Sequence, residues 1–243
     1  MRSFFENLLA YESFFVIILT CLKIFLREVM LMEEHSRQVK SKILNSAKKL
    51  LMRNGYKKTT IRQIERDSGV LIGSIYHFFK NKDNIFEEMI ATLIERSQKK
   101  IEESCAGESS AFVYAAMIEV VLCKMENDEI ARDIYFNCYT SKTIFADIVR
   151  QSSELIQKLF RDTNFSQEQF KQISLFIGGS VYACISELYI TTATAKSNRR
   201  ALIRHVLKIF KVPNEEIESI LEKIDRGSDL WKQLGNELVE QSI

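Results

Sequence analysis

Apolar residues recur at three- and four-residue spacing along most of the chain, which is the period of amphipathic α-helices. Residues that break helices are rare, with 8 glycines and 1 proline among 243 residues. Hydrophobic residues make up 46% of the chain and charged residues 27%, the composition of a globular protein with a sizeable core. The pattern therefore predicts an all-α fold.

Three predicted helices near the N-terminus form one unit. The first covers residues 36–58 and carries an apolar stripe on one side. The second begins at Thr60, where Thr60 and Gln63 have the spacing of a capping box, and it ends at Gly69. The third is a short helix over residues 72–79. Two short helices joined by a tight glycine turn, behind a longer supporting helix, are typical of a helix-turn-helix.

The third helix presents polar-tipped side chains beside fully apolar ones. Ile75 and Phe79 are four residues apart and belong to its inner face. Ser74, Tyr76 and His77 then fall on the flank or the outer face. In the helix-turn-helix geometry the last helix lies in the DNA major groove, so a phenol or imidazole here can hydrogen-bond a phosphate. For His77 a merely solvated helix end is the alternative.

Small and basic residues flank this helix. Gly73 lets the backbone approach a ligand closely, and Lys80 and Lys82 stand where a fourth helix begins and adds amide donors. Residues 33–100 hold fifteen Lys or Arg against eight Asp or Glu, whereas residues 101–243 hold sixteen against twenty-one. The basic front part favours a polyanionic partner, and a solvated basic surface is the alternative.

The stretch TTIRQIERDSGVLIGSIYHFFKNKDNIFEEMI, residues 59–90, resembles the N-terminal DNA-binding region of the TetR family of transcriptional regulators. The resemblance implies an all-helical homodimer, usually a repressor, which reads a palindromic operator and is released by a small ligand. It places a helix-turn-helix head at residues 34–96 and a ligand-sensing and dimerisation body at residues 97–243. The predicted DNA-binding residues are Thr60, Arg62, Gly73, Ser74, Tyr76, His77, Lys80 and Lys82.

One feature departs from the family pattern. Leu71 and Ile72 stand where the family usually has small polar and basic residues at the start of the recognition helix. Apolar side chains at these positions could contact thymine methyl groups or could weaken binding. The operator sequence therefore does not carry over from the resemblance.

The body contains one segment that is apolar on every side. Residues 111–123 carry a single charge, Glu119, and such a helix is typically buried in the middle of a domain. Ordinary core is the commoner use of such residues, and a cavity wall is the functional alternative. A buried Glu119 needs a partner. A cationic ligand is one candidate, and a rim position or an internal Arg or Lys partner is favoured over it. The predicted ligand-binding residues are Phe112, Met117, Glu119, Tyr135 and Tyr139.

Two later helices carry the features of a subunit interface. Ser166 and Gln169 form a capping box at the start of one, and small residues follow in it at helical spacing. A stripe over residues 201–210 marks the other. Two such helices from each subunit can build a four-helix interface, which is where the family places it. The predicted interface residues are Gly179, Ala183, Leu202, His205, Val206 and Ile209, whereas residues 214–243 have no assigned purpose.

The first 31 residues form a separate apolar extension. SFFVIILTCL, residues 13–22, is an uncharged run about half as long as the roughly 20 residues of a membrane-spanning helix. Met30 and Met32 stand immediately before the first well-patterned helix. We favour a misassigned start or a dispensable extension over a membrane-contacting helix. The alternative function is accordingly a membrane-associated helical interaction protein.

Patterns of catalytic or metal-binding residues do not stand out. His35, His77 and His205 are far apart, and the chain has no nucleophile elbow, phosphate-binding glycine loop or metal-ligand spacing. Its 5 cysteines are scattered without a CxxC pair, which indicates reduced thiols in a cytoplasmic protein. We therefore predict no enzyme, no metal site and no cofactor. The predicted partners are double-stranded DNA, a small-molecule effector and a second copy of the chain, with no membrane partner.

Overall fold

The computed structural model describes the backbone of residues 2–240 and the side chains of Lys23 and residues 26–237. Within that part every regular element is a helix, which confirms the predicted all-α fold. The helices are α1 (Arg2–Lys58), α2 (Ile61–Ser68), α3 (Ile72–Phe78), α4 (Lys82–Ser104), α5 (Ser110–Asn127), α6 (Glu129–Thr140), α7 (Lys142–Leu159), α8 (Gln167–Glu187), α9 (Ala195–Ile209), α10 (Asn214–Arg226) and α11 (Ser228–Glu240).

The N-terminal extension is continuous with the first helix of the head. Helix α1 runs through 57 residues, and its backbone leaves the helical region at Gly55, where φ is 74° and ψ is 169°. The side chains of the apolar run at residues 13–22 lie outside the described residues. Among the side chains that are described, no helix is long and apolar enough to cross a membrane.

Helices α1 to α4 close around one apolar core. The side chains of Ile43, Ile64, Ile75 and Ile85, one from each helix, are fully buried in it. Side chains from α6 and α7 belong to the same cluster, so the head rests directly on the body. These body residues are Ile134, Cys138 and Ile144.

Helix α5 is the centre of the body. Thirteen of its side chains are buried, because α6 to α11 and α4 surround it. This confirms the prediction that the apolar segment lies in the middle of a domain. The C-terminal pair α10 and α11 completes the same core: Trp231 is buried, and its Nε1 donates a hydrogen bond of 2.8 Å to the carbonyl oxygen of Ile224. The tail therefore seals the body over α5.

Glu119, the one charge in the middle of α5, has a cationic partner from α9. The Nε of Arg199 lies 3.0 Å from both carboxylate oxygens of Glu119, and its Nη1 also pairs with Glu126. This confirms the expectation of an internal Arg or Lys partner. Burial raises the pKa of the Glu119 carboxyl, while the charge of Arg199 opposes that rise.

We predict that Arg199→Met destabilises the fold by about 3 kcal/mol at neutral pH, because the buried Glu119 and the half-buried Glu126 lose their cation. Without Arg199, the folded-state pKa of Glu119 rises further above its unfolded value. In the variant, the stability contributed by protonated Glu119 is therefore lost as the pH rises above about 4. The difference in unfolding free energy between the variant and the parent chain shrinks under more acidic conditions. Urea unfolding at several pH values measures both effects.

Arg204→Met is the matched control. Arg204 also makes a two-pronged contact, with both oxygens of Glu218, but this pair is more exposed to solvent. Its loss should cost less than about 1 kcal/mol. Equal costs for the two variants would show that the Glu119 pair has no special weight in the fold.

Candidate nucleic-acid interface

The turn between α2 and α3 is built as the sequence indicates. The amide of Gln63 donates to Thr60 Oγ1 at 3.3 Å, and the amide of Thr60 donates to Gln63 Oε1 at 2.8 Å. Gly69 follows α2 with a φ of 68°, a left-handed conformation that other residues rarely adopt. The capping box and the glycine turn are therefore both present, and they set the direction in which α3 starts.

Helix α3 is anchored on one side and capped by its neighbour. Ile75 and Phe79 are buried, as the sequence predicts. Leu71, at the N-cap position, makes no side-chain cap. Glu65 of α2 supplies one instead, because its Oε1 accepts a hydrogen bond of 2.9 Å from the amide of Ile72. One carboxylate thus joins the two helices of the motif.

The outer face of α3 is open to solvent. Tyr76 is 51% exposed, and Gly73, Ser74 and His77 are exposed beside it. The imidazole of His77 packs edge-on against the neighbouring ring of Phe78, with 5.3 Å between the ring centroids. This face therefore offers a hydroxyl, a phenol and an imidazole that nothing in the described chain covers.

The start of α2 adds to the same motif. Thr60 and Arg62 are both exposed there. Lys57 and Lys58, which were not in the predicted set, are exposed immediately before the capping box. Their position between Gly55 and Thr60 was the available signal, because bases next to a helix start are suited to bind phosphate.

The two lysines before and within α4 differ from each other. Lys80 is exposed, as its predicted role requires. Lys82 is half-buried. Its Nζ donates a hydrogen bond of 3.1 Å to the carbonyl oxygen of Tyr56 and lies 4.1 Å from the centroid of the Tyr56 ring. The amine that we predicted to contact DNA is thus bound to the end of α1 in this conformation.

Tyr56 fixes the junction between α1 and α4. Its hydroxyl donates to Asp83 in the first turn of α4, and its ring packs edge-on against Phe86 at 4.9 Å. Burial and the carboxylate of Asp83 raise the pKa of the Tyr56 phenol, which stays neutral. This contact was not predicted, because no local sequence pattern pairs residues that are 27 positions apart.

Leu71 completes the picture at the start of α3. Leu71 is one of the two positions at which the chain departs from the family pattern, and its side chain is 75% exposed. An exposed leucine next to a solvent-facing recognition helix presents a methyl surface of the kind that can meet thymine methyl groups. It was absent from the predicted set, although the sequence had already singled it out.

The predicted ligand-binding residues separate into two groups. Met117, Tyr135 and Tyr139 line one cavity of about 150 Å³ between α4, α5, α6, α7 and α8. Phe112 lies elsewhere and packs against the ring of Trp231 at 6.2 Å, and Glu119 is held by Arg199. The structure therefore brings three of the five together.

The predicted interface residues also separate. Gly179, Ala183, His205 and Ile209 are exposed on α8 and α9. Leu202 and Val206 instead belong to the core of their own subunit, because the stripe on α9 covers more than one face. Three large apolar side chains that the sequence analysis missed are exposed on α8 and just beyond it: Leu175, Phe176 and Ile190.

Comparison with known proteins identifies the motif. Residues 43–89, which contain α2, α3 and the start of α4, match the profile of the family described as bacterial regulatory proteins, tetR family. Residues 43–89 therefore carry the DNA-binding motif of the TetR family.

Two curated proteins to which this chain is similar come from Bacillus subtilis (strain 168). The HTH-type transcriptional regulator YvkB is 25% identical over 123 residues, which are 51% of this chain and 62% of the relative. The HTH-type transcriptional regulator YhgD is 38% identical over 65 residues, 27% of this chain and 34% of the relative. Each match thus spans less than two thirds of the curated protein.

The fold also has solved counterparts that cover most of this chain. The crystal structure of RolR in complex with resorcinol superposes with a TM-score of 0.59 at 15% identity, covering 78% of this chain and 95% of the other. At that identity the likeness concerns the fold alone. It extends the similarity from the helix-turn-helix head into the helical body.

We predict that Glu65→Ala lowers the free energy of unfolding by about 1 kcal/mol, because the amide of Ile72 loses its acceptor at the start of α3. Glu65→Gln keeps a side-chain oxygen and should recover most of that loss. Urea unfolding of both variants measures the difference. As a control, Arg66→Ala changes an exposed neighbour and should stay within about 0.5 kcal/mol of the parent. Equal stability of the Ala and Gln variants would contradict the capping role.

Proposed function

We propose that this chain is a ligand-responsive transcriptional repressor that binds a palindromic DNA operator as a homodimer and is released by a small molecule. The observation that carries the proposal is the solvent-facing surface of α3, held by buried Ile75 within a head whose sequence matches a family of bacterial regulators. In this proposal residues 34–96 are the DNA-binding head and residues 97–243 the sensing and dimerisation body. Its place of action is the cytoplasm.

The contacts with DNA divide into positioning and reading. The hydroxyls of Thr60 and Tyr76 and the charge of Lys80 suit phosphate oxygens, which fix the position of the head without reading sequence. Ser74, Gly73 and Leu71 lie on the exposed face or N-terminal end of α3, where base edges in a major groove would be reached. Arg62 and His77 complete the predicted set.

For Lys82 we modify the original role. Its amine is bound to the carbonyl oxygen of Tyr56, so contact with a phosphate requires that hydrogen bond to be exchanged. We propose that Lys82 holds the end of α1 against the start of α4 in the free protein. In the first turn of α4 the amide of Asn84 already donates to Asn81 Oδ1 at 2.9 Å, so the amides of Lys82 and Asp83 remain for phosphate, together with Lys80.

The proposed dimer forms through the outer faces of α8 and α9. Gly179 and Ala183 leave room for a close helix approach, and Phe176, 67% exposed, offers apolar surface next to them. A groove lined by both helices runs past Ala183 and His205. Four helices, two from each subunit, would bury these faces in a symmetric interface.

Helix α6 supports a route from the ligand to the DNA. Tyr135 and Tyr139 line the cavity of the body, while Ile134 and Cys138, on the adjacent face of the same helix, belong to the core of the head. A ligand that moves α6 therefore changes the packing of the head. Release from DNA requires that the ligand prefer the conformation with low DNA affinity.

We expect Lys80→Ala to weaken binding to every duplex and to reduce the slope of log K against log salt by about 1 for each subunit, because one phosphate contact is lost. Tyr76→Phe should also weaken binding to every duplex but leave the slope unchanged, since a phenol carries no charge. Fluorescence anisotropy on genomic fragments captured by the purified protein, at several salt concentrations, measures both.

Lys232→Ala removes an exposed charge from α11 in the body and is the matched control. It should change neither the affinity nor the salt slope. If Lys80→Ala behaves as Lys232→Ala does, the proposed DNA-facing surface of the head is wrong.

The dimer gives a separate prediction. Phe176→Glu places a charge on the proposed interface and should convert the dimer to monomers, with operator affinity reduced at least tenfold because two linked heads become one. Sedimentation velocity measures the assembly state. Leu230→Glu introduces the same charge at an exposed leucine of α11 and should leave the dimer intact. A dimer that survives Phe176→Glu would contradict the α8–α9 interface.

A further inference from the structure

The cavity of the body is lined almost entirely by uncharged side chains of five helices. Most are aliphatic, and no Lys, Arg, His, Asp or Glu is among the described residues that line it. A charged ligand would lose its hydration there without gaining a counter-charge, at a cost of several kcal/mol. The polar groups at the cavity are Gln98, Tyr114, Tyr135, Cys138, Tyr139 and Ser152.

Three phenols give the cavity its hydrogen-bonding character. Burial raises the pKa of Tyr114 and of Tyr135 to about 12 each, and it raises the pKa of Tyr139 as well. At neutral pH all three therefore keep their protons and can donate.

The three phenols are not equally available. The hydroxyl of Tyr114 is engaged with Ser152. The hydroxyls of Tyr135 and Tyr139 make no hydrogen bond to another described side chain. Neither hydroxyl oxygen is a fully buried atom that lacks a hydrogen-bond partner. Tyr135 and Tyr139 thus bring two O–H donors, one turn apart on α6, to the wall of an apolar space.

The volume of the cavity limits what can enter. At about 150 Å³ it is the size of cavities that accept a benzene ring. Tyr135 also borders a smaller cavity of about 70 Å³ that lies towards the head. Residues of α1, α4, α5, α6 and α11 line it, and they include Lys48 and Lys124, which do not line the larger cavity. A ring that contacts Tyr135 therefore reaches the side of α6 that faces the head.

We infer that this cavity binds a small, uncharged, largely apolar molecule, about one aromatic ring in size, whose hydrogen-bond acceptor is held by Tyr135 and Tyr139. The binding step stands on the cavity alone, whereas its effect on DNA rests on the proposed function. The ligand class excludes carboxylates, phosphates and ammonium ions of the same size, because no described residue that lines the cavity carries a balancing charge.

Three matched probes test the chemical class. Methyl benzoate carries a ring and an acceptor, benzoate carries the same ring with a negative charge, and ethylbenzene carries the ring without an acceptor. Isothermal titration of the purified full chain at about pH 7 should show methyl benzoate binding about tenfold more tightly than ethylbenzene. Benzoate should bind at least a hundredfold more weakly than its methyl ester. Benzoate binding as tight as the ester, or the absence of binding by both neutral probes, overturns the inference.

Two variants test the donors. Tyr135→Phe and Tyr139→Phe remove a hydroxyl and keep the ring. Each should lower the affinity for methyl benzoate about threefold to tenfold and leave the affinity for ethylbenzene unchanged. Tyr189→Phe is the control, because Tyr189 does not line the cavity. Its hydroxyl donates a hydrogen bond of 2.6 Å to Asp133. Thermal unfolding of each variant checks that the fold is kept. Equal affinity of the parent chain and both cavity variants for methyl benzoate contradicts the role of the phenols.

DNA binding separates this inference from the proposed function. Anisotropy on a captured duplex is measured with and without saturating methyl benzoate. Binding of the ester with no change in DNA affinity upholds the ligand class and contradicts coupling to DNA through this cavity. Release of DNA by benzoate, abolished in Tyr139→Phe, overturns the ligand class and leaves the proposed regulator intact.

Discussion

The head depends on the burial of isoleucines from four helices in one core. Helices α2 and α3 contain 8 and 7 residues, too short to be stable in isolation. Ile64 and Ile75 hold them against α1 and α4, and the carboxylate of Glu65 joins one to the other. Because the inner face of α3 is fixed in this way, its outer face has a defined direction. The proposed contacts of Ser74, Tyr76 and His77 with DNA follow from that orientation.

The same core also ties the head to the body. Ile134 and Cys138 of α6 lie in it, so the head does not bury its apolar surface without help from the body. Tyr135 and Tyr139 place the same short helix on the wall of an uncharged cavity. Helix α6, with 12 residues, thus packs into the core of the head and also lines the cavity of the body. A shift of α6 at the cavity therefore alters its packing in the head. Close packing makes such a shared element difficult to deform on one side alone.

Local chemistry was predictable from the sequence. The capping boxes at Thr60 and Ser166 depend on residues three positions apart, and both are present. The burial of α5 follows from its composition, and the need of Glu119 for a cation follows from the cost of burying a charge. The profile match at residues 43–89 agrees with the motif read from spacing alone. In each case the deciding information lies within a few residues or in one physical cost.

Long-range pairing was not predictable. The sequence does not show that Lys82 meets the carbonyl of Tyr56, or that Phe112 packs on a tail more than a hundred residues later. The stripe on α9 was interpreted as one interface, yet Leu202 and Val206 face their own core while His205 and Ile209 face outward. Helical periodicity identifies which residues share a face, but not which neighbour covers it.

The tail that seals the body gives the molecule an optical reporter. Trp231 is the single tryptophan of the chain, is 3% exposed and lies at the contact between α11 and α5. Indole emission shifts to longer wavelength when water reaches the ring. The tryptophan fluorescence of this protein therefore reports whether its C-terminal helices are docked on the body. Changes confined to the head do not alter it.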